Sequence, residues 1–224
     1  MNALLLDFET TGLTEPQAVE AAWLHFPAFD ALFEATEYLE RFKPSKAIEL
    51  GALATSHILP SELMHCRPHT EFALPAGIEY LVGQNIDYDW QVAGSPDVRR
   101  ICTKALAMMV WPGLDSYSQS ALLYFCLGVS PLTRERLHGA HSALVDVKNC
   151  RIILQTLIDD LRDAGHTVAS WEDLWRLSEQ ARVPTVMPFG KHKGEAIAEV
   201  PRSYKAWLLG QPDVDHYLRM ALEA

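Results

Sequence analysis

The sequence predicts an α/β domain, a central sheet flanked by helices, followed by a small C-terminal module. Three observations carry that prediction. Residues 3–6 are a continuous apolar run that ends in a polar cluster at Asp7, the pattern of a buried central strand meeting a loop. After His141, the residues Ala143, Val147, Cys150, Leu154, Leu157, Ile158 and Leu161 recur at three- and four-residue steps until Gly165, which is the period of an amphipathic helix with a glycine stop. Pro184 and Pro188 then interrupt the chain, and residues 189–209 read as a separate element.

Taken in order, residues 19–24 and 31–41 are compatible with strand or helix. Residues 48–65 predict a helix broken at Pro60, and residues 80–82 a second short buried strand before Gly83. Residues 98–110 predict a helix stopped by Pro112 and Gly113, residues 118–127 another that ends at Gly128, and residues 171–180 a third. These elements place one domain over residues 1–170 and a smaller module over residues 184–224.

The 224-residue chain is 49% hydrophobic and 21% charged, which excludes a disordered, collagenous or coiled-coil protein. Its four cysteines are dispersed without a CxxC pair, the usage of reduced thiols rather than of a disulfide framework. The amino-terminal segment lacks the cationic start of a signal peptide, and no apolar stretch reaches bilayer-spanning length, so a cytoplasmic protein without membrane contact is expected. The net charge of −10 argues against coating nucleic acid by charge alone. The excess lies early: residues 1–80 hold 12 acids and 4 bases, residues 81–150 six of each, and residues 151–224 hold 11 acids and 9 bases. Divalent cations and a local basic patch would let such a chain act on a polyanion.

The acids themselves are informative. Asp7 and Glu9 stand two apart at the end of a strand, so their side chains leave the same face and repel unless a cation neutralises them. A polar loop is the common meaning of such a doublet taken alone. Asp87 and Asp89 follow the second buried strand. Asp146 lies on the largely apolar side of its helix, where a buried carboxylate requires an ion pair, a cap or a metal. His141 precedes it by five residues, which rotates the two apart on one helix but brings them together if His141 lies in the entering loop, as Gly139 allows. An imidazole beside metal-bound water suits general-base chemistry at neutral pH. His138 and His141 have the spacing of a zinc pair, with no third ligand to complete it.

Together, Asp7-Phe8-Glu9-Thr10-Thr11-Gly12-Leu13, Gln84-Asn85-Ile86-Asp87-Tyr88-Asp89 and His141-Ser142-Ala143-Leu144-Val145-Asp146 resemble the three ordered motifs of the DEDDh 3′–5′ exonucleases. The resemblance implies a ribonuclease H-like fold, a mixed sheet flanked by helices. It implies two magnesium or manganese ions held by Asp7, Glu9, Asp89 and Asp146, with His141 activating water. Register about Tyr88 selects Asp89 over Asp87, and Gln84 stands where the family has histidine. Residues 101–104, 111–114 and 189–194, with Tyr204 and Trp207, resemble one bacterial deoxyribonuclease branch of the family. They are less like the polymerase proofreading subunit, oligoribonuclease or ribonuclease T.

Several substrate contacts follow from the resemblance. Thr10, Thr11, Gly12 and Asn85 would meet the terminal nucleotide, Phe8 and Leu13 would wedge against its base, and His57 would pack on it. In the tail, Lys191 and Lys193 interleave with aromatic residues, a pattern that fits either DNA contact or the solvated outside of a small core. The expected activity is removal of nucleoside 5′-monophosphates from DNA 3′ ends, single-stranded or duplex, in DNA repair or processing. RNA trimming and non-catalytic nucleic-acid binding are the alternatives, and a homodimer is compatible with the resemblance.

Overall fold

The computed structural model describes residues 2–224. Six strands form one mixed sheet: β1 (Asn2–Thr10), β2 (Ala18–Phe26), β3 (Thr36–Lys43), the two-residue β4 (Arg67–Pro68), β5 (Ile78–Gly83) and β6 (Arg99–Cys102), in the order β4-β3-β2-β1-β5-β6. Strands β1, β2 and β3 are antiparallel neighbours, whereas β5 runs parallel to β1 and β6 parallel to β5. β1 is therefore central, and its polar end is the place where the antiparallel and parallel halves meet.

Strand alternation sorts β1 into two faces. Leu4, Leu6 and Phe8 enter a cluster with Trp23, Phe42 and Leu81, closed by an aromatic group in which Phe72 meets Phe8 edge-on at 4.9 Å. The opposite face, carrying Asp7 and Glu9, is covered by a long helix.

Among the described residues, nine α-helices follow in chain order: α1 (Leu50–Ser56), α2 (Asp87–Val92), α3 (Thr103–Val110), α4 (Gln119–Leu127), α5 (Pro131–Leu137), α6 (Ala143–Asp163), α7 (Trp171–Arg182), α8 (Arg202–Leu209) and α9 (His216–Glu223). α6 buries Val147, Cys150, Ile153, Leu154, Leu157, Ile158 and Leu161, the stripe its period predicts, and packs on β1 and β2. Burying such a row stabilises the domain by about 1.5–3 kcal/mol per large side chain relative to exposure.

One prediction fails here. Residues 98–110 are not a single helix, because Arg99–Cys102 pair with Tyr80–Gly83 as strand β6 before α3 begins at Thr103. The segments left open at residues 19–24 and 31–41 contribute to β2 and β3. β2 is buried along almost its whole length, which is why it carries no two-residue alternation to identify it. Residues 48–65 form α1 and, beyond the predicted break, a 3-10 turn at Pro60–Leu63.

The chain divides into two compact units, the first running through Ser178 and the second comprising Glu179–Ala224. The second has a core of its own, formed by Met187, Ile197, Val200, Leu208, Leu218 and Leu222 from α8, α9 and the segment before them. Among the described residues, no helix is long and apolar enough to cross a membrane.

Candidate active site

The polar end of β1 opens into a cleft of about 600 Å³ lined by Asp7, Glu9, Thr10, Leu13, Asn85 and Asp89, among others. Asp7 and Glu9 project from the α6 face of β1, and Asp146 reaches them from the first turn of α6. One carboxylate oxygen from each of the three lies within 4.8 Å of the other two. Asp89 comes from α2 and is buried, with its Oδ1 accepting the backbone N–H of Phe8 at 3.1 Å. That bond ties α2 to β1 between the two acids of the first motif.

Like charges this close raise one another's affinity for protons. Burial first, then the charges of Asp89, Asp146, Glu9 and Glu20, hold Asp7 well above the usual carboxylate range. Burial, with Asp146, Glu20 and Asp89 adding to it, pushes Glu9 up to about 8. Burial likewise raises Asp89 to about 8 against the pull of the Phe8 N–H, and it raises Asp146, where the N–H and nearby ring of His141 and the Gln119 amide act in the opposite direction. An all-oxygen cluster with this repulsion is chemically suited to hard divalent cations such as magnesium or manganese.

Asp87 points elsewhere. Its Oδ1 accepts Arg100 Nη1 at 2.5 Å, and the Arg100 guanidinium lies 4.2 Å from the Trp90 ring centre, so this acid belongs to a surface ion pair with β6. Gln84 is a brace: its Nε2 donates to Tyr117 O at 2.8 Å and its Oε1 accepts the Thr103 hydroxyl at 2.7 Å.

His141 occupies the loop before α6 with φ +68° and an exposed side chain. Its backbone N–H donates to Asp146 Oδ2 at 2.8 Å, which places the residue beside the cluster without sharing the helix face of Asp146. His138 instead pairs with Glu135 at 3.2 Å on the surface.

Two residues that sequence reasoning missed set this corner. Glu20 lies opposite Glu9 on β2 and is 3% exposed. Its carboxylate accepts the Ala143 N–H at 3.1 Å at the start of α6 and also Arg41 Nε at 2.9 Å. A lone charge inside the apolar run of β2 was the available signal. Gln119, at the start of α4, donates from Nε2 to Asp146 Oδ1 at 2.9 Å and to the Asp146 carbonyl at 3.2 Å. Nothing in its sequence surroundings marks it.

The predicted substrate contacts divide. Thr10, Gly12, Leu13 and Asn85 line the cleft, with Leu13 83% exposed at its rim. Tyr88 fixes the loop, its hydroxyl meeting Thr10 Oγ1 at 2.7 Å and donating to Gly12 O at 2.9 Å. Thr11 is fully buried and its hydroxyl accepts the Gln17 N–H at 3.1 Å, so it pins the loop from inside and offers no hydroxyl to the cleft. Phe8 lines the cleft as well, but it is only 6% exposed and its ring meets Phe72 in the aromatic cluster. His57 ends α1 in a left-handed conformation, exposed and outside the cleft lining, where Ala52 and Thr55 of α1 stand instead. Lys191 and Lys193 are exposed in the second unit.

Comparison with known proteins bears on the family and the fold. The chain is 30% identical over 187 residues to exodeoxyribonuclease 10 of Escherichia coli K12, an alignment that covers 81% of this chain and 80% of the relative. The chain belongs to the exodeoxyribonuclease 10 (exonuclease X) family. A solved exonuclease X in complex with 5′-overhanging duplex DNA superposes with a TM-score of 0.58 at 26% identity, over 77% of this chain and 99% of that one. Exonuclease I of E. coli in complex with a dA16 oligonucleotide shares the fold, with a TM-score of 0.53 at 16% identity over 83% of this chain and 46% of that one. The six-stranded mixed sheet and its helices are thus the ribonuclease H-like arrangement of these exonucleases. Residues 177–213 separately match a family model described as a putative quorum-sensing-regulated virulence factor.

Proposed function

We propose that the chain hydrolyses DNA from the 3′ end, releasing nucleoside 5′-monophosphates, and that the carboxylate cluster is the reacting centre. The observation that carries the assignment is the convergence of Asp7, Glu9 and Asp146 within 4.8 Å in a cleft, in a chain of the exonuclease X family. Asp7, Glu9, Asp89 and Asp146 hold two divalent cations, magnesium or manganese. Bound there, such ions supply Lewis-acid stabilisation of the charge that develops on the phosphate and its leaving oxygen.

The protein's own residues do the rest. His141 takes a proton from the attacking water, and imidazole is the side chain whose ordinary titration range lies near neutrality. The water oxygen forms the new P–O bond and the bond to the 3′ oxygen of the penultimate nucleotide breaks; that oxygen takes a proton from solvent to become the new 3′ hydroxyl, and His141 returns its proton to solvent. Gln119 donates to one oxygen of Asp146 and the His141 N–H to the other, so the orientation of the carboxylate is set before substrate arrives. Leu13 presents an apolar side chain at the rim, where the terminal base would lie against it.

Chromatography of the products from single-stranded DNA tests this reading. Nucleoside 5′-monophosphates accumulate with magnesium and none accumulate in EDTA. Release of nucleoside 3′-monophosphates, or the same yield in EDTA, contradicts it. A matched RNA strand in parallel reports the substrate class.

A further inference from the structure

The second unit carries a surface that the reaction at the carboxylate cluster does not use. Residues 186–196 fold back on themselves: Val186 bridges Ala196, the Met187 N–H donates to Glu195 O at 2.9 Å, and the Gly194 N–H donates to Met187 O at 2.8 Å. The loop is pressed onto α8. A Cβ on Gly190, whose φ is +76°, would lie 2.6 Å from Tyr204 Oη, so only glycine allows the approach. The His192 ring meets Tyr204 edge-on at 4.6 Å, and Tyr204 lies 5.4 Å from Trp207. Glu195 holds the far side of the His192 ring at 2.8 Å, which anchors the row from loop to helix.

Two aromatic rings remain open to solvent around this row, Phe189 at 49% and Trp207 at 56% exposure. The unit has an apolar core of its own that takes neither of them. Lys191 and Lys193 flank His192 in the same loop and are exposed, and among the described residues neither is bound to a carboxylate. In a chain of net charge −10, two unengaged lysines beside two open rings are a local departure from the prevailing surface.

We infer that this face binds single-stranded nucleic acid, the lysines taking backbone phosphates and Trp207 and Phe189 stacking on unpaired bases. Charge complementarity selects a polyanion, and the open rings select one whose bases are free to stack, which a duplex does not offer. The inference deepens the DNA exonuclease reading and rests on it for the choice of ligand. A second contact on the same chain would raise the effective concentration of a long strand and retain it between successive cleavages, without any new contact at the cleft.

The test uses the full-length chain with Asp7→Asn, so that a labelled single strand of about 30 nucleotides, long enough to cover several nucleotide-binding sites of the usual size, stays intact while its binding is titrated at several salt concentrations. K191E/K193E in that background is expected to weaken binding about tenfold at low salt and to reduce the salt slope by about 1.4, roughly 0.7 per lost phosphate contact. Trp207→Ala is expected to weaken binding about fivefold or more, the effect of one lost base stack, with Trp207→Phe restoring most of it. All three side chains are solvent-exposed, and an unchanged melting temperature would certify the fold. Equal affinity and equal salt slope across these proteins would overturn the inference, as would the same loss for a fully duplex probe. The nuclease reading is judged separately, by whether the unmutated chain shortens the same strand in magnesium. Shortening with full tail-variant affinity sinks the tail site alone, and tail-dependent binding without shortening sinks the nuclease reading alone.

Discussion

The buried carboxylate of Glu20 accepts the backbone N–H of Ala143 at 3.1 Å, so a strand residue caps the helix that carries Asp146. Ser142 stands at the N-cap without a side-chain bond of its own to the helix. The same carboxylate is paired to Arg41, and it adds to the repulsion felt by Asp7 and Glu9. Glu20 therefore fixes the position of α6 and burdens the cluster at once.

Those two effects oppose each other in Glu20→Gln. The loss of a charged cap and a half-exposed ion pair costs about 1–2 kcal/mol, while removal of a negative charge relieves the carboxylates. With magnesium present the relief is already supplied. Urea unfolding should show a larger destabilisation in magnesium than in EDTA. No loss in magnesium would show that Glu20 does not serve as the cap, and an equal loss in both would show that its charge does not burden the cluster.

The raised carboxylates make a prediction about pH. Glu9 and Asp89 titrate at about 8 in the folded chain, whereas unfolded carboxylates titrate near 4. Between those values the folded state holds protons that the unfolded state has released, so stability falls as pH rises from about 4 to about 8. The metal-free protein should melt at a lower temperature at pH 8 than at pH 5. Saturating magnesium should remove most of that decline, since cations replace the protons. A melting temperature that rises over this range in EDTA would be incompatible with the cluster described.

Gln119 tests whether Asp146 must be held. Its amide reaches both Asp146 Oδ1 and the Asp146 carbonyl, and Gln119→Ala frees one carboxylate oxygen. Loss of such a bond to a metal-binding carboxylate is worth about 10–100-fold in metal affinity or activity. The half-saturating magnesium concentration for DNA hydrolysis should rise, with partial recovery at high magnesium. An unchanged magnesium titration would reduce Gln119 to a packing residue.

Asp87 and Asp89 are two residues apart and have opposite expectations. Asp89→Asn removes a buried charge from the cleft and should abolish hydrolysis. Asp87→Asn breaks the pair with Arg100, 42% exposed on the aspartate side, and should cost about 1 kcal/mol of stability or less. Steady-state rates and melting curves of the two proteins separate these outcomes, and a reversed pattern would move the second-motif acid to Asp87.

Much of this site could be read from residue spacing, because its chemistry sits where period and polarity change abruptly. Asp7 and Glu9 terminate an apolar strand, and Asp146 interrupts an apolar helix stripe. The five-residue step from His141 to Asp146 brings the two together only if His141 lies in the entering loop, and the structure places it there with left-handed backbone. The residues misjudged are those whose role depends on which way a side chain turns. Phe8 and Thr11 sit inside a reactive motif, yet alternation and the Gln17 contact direct both inward. His57 falls at the end of α1, past the turn that reaches the cleft. Residues 99–102 carry two arginines and no clear alternation, and only pairing with β5 makes them a strand. Glu20 and Gln119 act across 123 and 27 residues of sequence, a separation at which local pattern carries no information.

The most direct test follows a 5′-labelled single-stranded DNA through time with the unmutated chain, with Asp7→Asn and with His141→Ala, in magnesium and in EDTA. The account predicts a ladder that shortens from the 3′ end, is absent in EDTA and with Asp7→Asn, and is slowed about a hundredfold or more with His141→Ala, the usual contribution of a general base. A strand that stays intact with folded, magnesium-saturated protein, or one that shortens equally with Asp7→Asn, would contradict it.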